Sequence, residues 1–123
     1  MLSAAGAPVV KLTTIGAKTG KERPAPVLGL RDGENWVVVA SNWGRPEHPA
    51  WYYNLKANPE VKLTYKGQTG QYVAREVTGD ERAEYWSQIA EVNPGLETYQ
   101  QRAGDRQIPV VVLTPRAEVD PGG

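Results

Sequence analysis

Side chains able to do chemistry gather in two places along this 123-residue chain. Lys18, Thr19 and Arg23 crowd a short stretch bracketed by Gly16 and Gly20. Glycines at both ends let backbone N–H groups turn inward, and two cations beside a hydroxyl make a grip for a phosphate. Ser41 and Asn42 follow an apolar run from Trp36 to Ala40. The small Ala40 lets a flat ring lie close to the backbone, with Ser41 at its edge. Downstream, Trp51, Tyr52 and Tyr53 are consecutive, so a helix cannot bury all three on one face. An anion grip and a ring shelf are what a large phosphorylated cofactor needs. Taken singly, each has a plainer reading: a solvated hairpin turn, a core strand with a polar exit, an ordinary aromatic core.

Several chemistries drop out. The Lys18-Thr19 pair suggests a nucleotide-binding P-loop, but that motif needs glycine directly before the lysine and a helix directly after the threonine. Here Ala17 precedes Lys18 and Pro24 follows too soon. The chain has no cysteine and one histidine, which removes thiolate nucleophiles and leaves zinc without its usual ligands. That histidine, His48, sits before a proline in a loop, a place more typical of surface residues than of catalysts. Net charge is zero, so there is no global pull toward nucleic acid or anionic membrane. Attraction for an anion must be local. Lys11, Lys18, Lys21 and Arg23 supply it, opposed within their segment only by Glu22.

The elements that must position these residues are mostly strands. Val9–Thr14 reads as a first strand and Arg23–Arg31 as a second, whose Pro24 and Pro26 confine its start to an edge. Asp32-Gly33 signals a hairpin into a doubly buried strand, Asn35–Ser41. Residues 49–59 read as a short helix with Pro49 in its first turn and Asn58-Pro59 as the stop. Val61–Tyr65 and Gln71–Val77 flank a Lys66-Gly67 turn. Thr78 and Glu81 match a capping box for a helix that buries Ala83, Trp86, Ile89 and Ala90 and ends near Asn93-Pro94. A short helix, Gly95–Arg102, and a last strand, Ile108–Thr114, complete the chain. About six strands with helices inserted at two places predict a mainly β, split antiparallel barrel of the FMN-binding type over residues 9–116. Residues 1–8 and 117–123 read as flexible ends. With no apolar run long enough to span a bilayer, the expected compartment is the cytoplasm.

These segments, in this order, resemble the deazaflavin (F420)-dependent nitroreductase and quinone reductase family of split-barrel oxidoreductases. The matching residues are Leu12 to Gly20, Arg23, Arg31-Asp32-Gly33, Val39-Ala40-Ser41, Gly44, Pro49 to Pro59, Asp80 to Trp86 and Ile108 to Val112. The resemblance implies coenzyme F420, an 8-hydroxy-5-deazaflavin with a phosphate-linked oligoglutamate tail. It implies that Lys18, Thr19 and Arg23 hold the phosphate, and that Ala17, also a coenzyme-site residue, stands where relatives often carry arginine and so leaves out one phosphate contact. Pro24, Pro26, Val39, Ala40, Ser41 and Asn42 would line the ring, and Ala50, Trp51, Tyr52 and Asn54 would complete its site. Ser41 and Tyr99 are the implied catalytic residues. Asn93 and Leu96 stand where the nitroreductase branch has tyrosines. Quinones or activated enones are therefore expected as acceptors ahead of nitroimidazoles, in a pocket left wider and less aromatic. Expected partners are a small-molecule acceptor and a second copy in a homodimer, with no nucleic acid and at most peripheral membrane contact. Two alternatives remain open: an FMN-dependent reductase, and a non-catalytic F420 carrier.

Overall fold

The computed structural model describes residues 9–40 and 47–116. The strands are β1 (Val9–Ile15), β2 (Glu22–Asp32), β3 (Asn35–Val39), β4 (Glu60–Tyr65), β5 (Gln68–Val77) and β6 (Val110–Pro115). The helices are α1 (Ala50–Ala57), between β3 and β4, and α2 (Gly79–Val92) and α3 (Gly95–Ala103), between β5 and β6. All strand pairs are antiparallel, and they close a barrel in the order β1-β2-β3-β6-β5-β4. The expected barrel is present.

Two turns set the hairpin registers. Lys66 and Gly67 join β4 to β5, both at positive φ (52° and 77°), the conformation of a two-residue type I′ loop. Between β2 and β3 the loop residues are Gly33 and Glu34, with positive φ on Gly33 alone. Asp32, expected in the turn, instead pairs with Asn35 across the ladder.

The sheet is buried on both sides where β3 and β6 run. Inside the barrel, Val10, Leu12, Val27, Trp36, Val38, Leu63, Val111 and Leu113 form one core, closed by Trp51 and Leu55 of α1. Outside, Leu30, Val37, Val77, Val110 and Val112 form a second core with Ile89 of α2 and Leu96 of α3. A strand covered on both faces has no polar side to alternate with, which explains the continuous Trp-Val-Val-Val run.

Two expectations about α2 fail for identifiable reasons. Thr78 is the N-cap but makes no side-chain capping bond. Glu81, which would complete the capping box, is held by Arg75 through two hydrogen bonds of 2.8 and 3.0 Å. Ala83 is exposed, while Tyr85, Trp86 and Ile89 face the sheet. Tyr85 also donates to Asp32 Oδ2 at 2.6 Å, anchoring the helix to the end of β2.

Gly29 marks a tight spot in the inner core. A Cβ there would lie 3.0 Å from Val10 Cγ2 and 3.1 Å from Trp36 Cε3. Trp36 is 1% exposed, so its ring can give way only by pressing on its core neighbours. Gly29→Ala should therefore cost about 1–3 kcal/mol by overpacking. Chemical denaturation measures this directly, and an unchanged midpoint would show that the Trp36 ring can shift.

Candidate active site

The basic loop is built between β1 and β2. Its ends are closed by backbone bonds, Gly16 N–H to Lys21 O at 2.7 Å and Gly20 N–H to Gly16 O at 2.9 Å. Gly20 takes the positive φ (70°) this tight return demands. Thr19 Oγ1 accepts from the Lys21 amide at 3.3 Å and from Arg23 Nη2 at 3.5 Å, holding the guanidinium over the loop. With the amides of Ala17, Gly20 and Lys21 engaged inside the protein, those of Lys18 and Thr19 are the loop's donors toward a ligand among the described residues. The segment's one carboxylate, Glu22, is taken by Lys62 Nζ at 2.7 Å. That contact holds its pKa below the ordinary value, through the hydrogen bond first and then the charge of Lys62.

Facing the loop across a groove of about 600 Å³ is α1. Gly16, Ala17, Lys18, Thr19, Arg23, Pro24 and Ala25 form one wall, and Ala50, Trp51, Tyr53 and Asn54 the other. Pro24 belongs here because the first half of β2 pairs only with β1; its ladder to β3 begins at Gly29. The proline-bearing stretch is thus an edge, as expected. Of the expected site residues, Ala17, Lys18, Thr19, Arg23, Pro24, Ala50, Trp51 and Asn54 come together in this groove.

Others lie elsewhere. Pro26 is exposed beside Lys11 on the outer face of the sheet. Val39 packs against the outer core with α2 and α3, whereas Ala40 is fully buried in the inner one. Tyr52 turns away from the groove and donates to Glu76 Oε1 at 2.6 Å. Burial, and then that hydrogen bond, push the Tyr52 pKa well above its ordinary value. Tyr99 is on α3 and is not part of the groove wall. Leu96, expected to widen an acceptor pocket, is 2% exposed and packs into the outer core, so it widens nothing. Ser41 and Asn42 lie outside the described residues. Tyr53, half exposed on the groove wall, was not singled out in the sequence because any of three adjacent aromatics can face a site.

A second set of contacts joins the end of β3 to the start of α1. Arg106 Nη1 donates to Ala40 O at 3.0 Å and lies 2.8 Å from His48 Nδ1. Because arginine can only donate, His48 Nδ1 must accept, and the ring proton sits on Nε2. The imidazole rests on Tyr52 and Tyr53, with ring centroids 4.5 and 5.7 Å away. Gln100 steadies the Arg106 segment from α3, donating to Arg106 O and accepting from the Ile108 amide.

Comparison with known proteins agrees with this geometry. The sequence model of the F420H2-dependent quinone reductases matches residues 2–115. The chain belongs to that family. The F420H2-dependent quinone reductase of Mycobacterium tuberculosis is 39% identical over 111 residues, which cover 89% of this chain and 74% of that protein. A solved F420-H2 dependent reductase, FDR-A, superposes with a TM-score of 0.78 at 39% identity, covering 86% of this chain and 93% of that one. Another solved chain, described as a domain-swapped dimer, gives 0.79 at 38%, covering 88% and 81%.

The family's coenzyme is F420, and nothing supports the FMN alternative. The groove suits such a molecule chemically. Tyr53, half exposed, offers flat apolar surface for a ring beside the largely buried Trp51, and Lys18, Arg23 and the loop amides of Lys18 and Thr19 offer donors for a phosphate.

The contacts of His48 make a pH prediction. Burial, and then the neighbouring Arg106 charge, hold its pKa below the ordinary 6.5, with Glu76 opposing weakly. The unfolded chain therefore takes up a proton that the folded chain resists. The contribution of His48 to stability is flat above 6.5 and falls as pH drops through that value. The depressed carboxylates Glu22, Asp32, Glu76 and Glu81 lose their contribution only below their ordinary 3.8–4.5. Between roughly pH 7 and 5.5 the fall in melting temperature should thus belong to His48 and flatten in His48→Gln. Parallel slopes for the two proteins would remove His48 as the cause.

Proposed function

We propose that this protein transfers a hydride from reduced F420 to an electron-poor acceptor, a quinone first of all. The observation that carries the reading is the groove, which puts a basic, amide-lined loop and an aromatic helix face on opposite sides of one cleft. Family membership supports it. When bound, the reduced deazaflavin supplies the hydride, and the protein contributes binding, orientation and electrostatics.

Lys18, Arg23 and the loop amides hold the phosphate, and Trp51 and Tyr53 flank the ring. Ser41, the residue after Ala40, is proposed to hydrogen-bond at the ring's reacting edge. Hydride addition to a quinone leaves an oxyanion that needs one proton. Water entering the open groove is its source in this reading, since Tyr99 is not on the groove wall. A second copy of the chain is part of the proposal, supported by the domain-swapped dimer among the structural neighbours. The reading takes a cytoplasmic protein; no helix among the described residues is long and apolar enough to cross a membrane.

Steady-state oxidation of reduced F420 with a menadione-type quinone and with a bicyclic nitroimidazole tests the activity. Turnover with the quinone, and a higher kcat/KM for it than for the nitroimidazole, is the expected result. Tight coenzyme binding without turnover on any acceptor would favour a carrier instead.

The grip has its own test. Lys18→Ala and Arg23→Ala should each weaken F420 binding by about 1–3 kcal/mol, the worth of a charge-assisted contact. Affinity should also fall with added salt, because exposed charges are screened within about 10 Å at 0.1 M. Calorimetry showing neither effect would take the loop out of the site.

A further inference from the structure

We propose that Asn54 is a positioning residue, an amide latch that fixes the anion-gripping loop against α1 and so sets the spacing between the two walls of the groove. The proposal rests on the coenzyme reading above and goes beyond it. By resemblance Asn54 is a coenzyme contact, but both ends of its side chain are engaged by the protein. Asn54 Oδ1 accepts from the Ala17 amide at 3.0 Å, in the middle of the loop. Asn54 Nδ2 donates to Thr14 Oγ1 at 3.1 Å, at the foot of the loop. The backbone N–H of Ala17 admits only an acceptor, so the orientation of the amide is determined. Thr14 is fully buried, the one buried polar side chain among the described residues. Its hydroxyl donates to Arg23 O, with 3.5 Å between the two oxygens, on the far side of the loop.

One side chain on α1 therefore touches the strand entering the loop and the loop itself, and through Thr14 the strand leaving it. These partners stand 40 and 37 residues before Asn54 in sequence. The neighbouring positions show why the link matters. Trp51 and Leu55, on the same helix, are locked into the inner core. Lys18, Thr19 and Arg23 are exposed and have no such anchor. The latch transmits the fixed position of α1 to a loop whose own side chains lie in solvent. A cofactor that spans the groove needs its ring wall and its phosphate grip held at one distance.

Amide hydrogen exchange on the protein without coenzyme reads the latch directly. Asn54→Ala should speed exchange in the segment 16–20 by about three- to tenfold, the factor expected from one net hydrogen bond. Thr14→Val should act in the same direction, and Thr14→Ser, which keeps the hydroxyl, should restore protection. Binding is then measured with F420 and with its ring portion lacking phosphate and tail. Asn54→Ala should weaken the phosphate-bearing form by about tenfold and the ring portion much less; general destabilisation would affect the two alike. The double variant with Thr14→Val should lose less than the two single losses combined, because both break one link. Exchange unchanged in Asn54→Ala overturns the latch. Faster exchange with F420 affinity intact overturns its positioning role, provided Lys18→Ala lowers that affinity. If Lys18→Ala has no effect either, the loop is not the coenzyme grip, and the proposal falls with that reading.

Discussion

A proline has no backbone N–H to offer a second neighbour, and β2 carries two of them at alternate positions, Pro24 and Pro26. In an antiparallel ladder successive residues aim their N–H groups to opposite sides, so Pro24 and Pro26 face the same side. The residues between and beside the prolines can therefore sustain the ladder to β1, while the other side of this stretch offers no donors. β3 pairs with β2 only from Gly29 onward. A barrel closed over its whole length would leave no room for a ligand between strands. The prolines hold one stretch of edge open without exposing a row of unpaired donors. α1 packs beside that stretch, and the groove forms between them. The site thus depends on a pairing that the sequence forbids.

Much of this was legible in the residues, and what was not has definite causes. Glycines, prolines and alternation gave the strand order of both hairpins and the loop with its cations, because those signals are local. The face of Val39 was not readable. In a run such as Trp-Val-Val-Val, buried on both sides, there is no polar alternation to reveal which side chains point inward. Which of Tyr52 and Tyr53 faces the groove was not readable for a similar reason. Neighbouring helix positions differ by about 100°, and only the partners decide which faces where: Glu76 takes Tyr52, leaving Tyr53 to the groove. The engagement of Asn54 by Thr14 and Ala17 joins residues far apart in sequence, so no local pattern announces it. Glu81 shows the converse, a local capping motif defeated by a partner on another element.

Electrostatics here has less to do with stability than with direction. The ion pair of Glu22 with Lys62 is about half exposed on both sides, and such pairs contribute little to folding. Its consequence is elsewhere: Glu22, the carboxylate of the grip's own segment, is already satisfied by a lysine from another strand. The same division appears beneath α1. Burial opposes the charge of Glu76, but hydrogen bonds from Tyr52 and Lys56 outweigh it and keep the carboxyl ionised below its ordinary pKa. Negative charge is thus kept under the helix and positive charge on the loop. A protein with zero net charge still presents a groove whose charged wall residues, Lys18 and Arg23, are both cations.

A chain with no cysteine, one histidine and no self-contained catalytic set can still be an enzyme if its contribution is geometric. Reacting centres need placement within a few tenths of an ångström, and errors near 1 Å can cost on the order of a hundredfold in rate. Exposed loops do not hold such tolerances by themselves. In this protein each wall of the groove is tied to something rigid: α1 to the inner core through Trp51 and Leu55, and the loop to α1 through Asn54; outside the groove, Arg106 joins Ala40, after β3, to His48, before α1. None of these ties is a chemical catalyst. Together they make the distance between an anion grip and a ring wall a property of the barrel, and a hydride-transfer coenzyme needs no more than that from its protein to react with one acceptor geometry in preference to others.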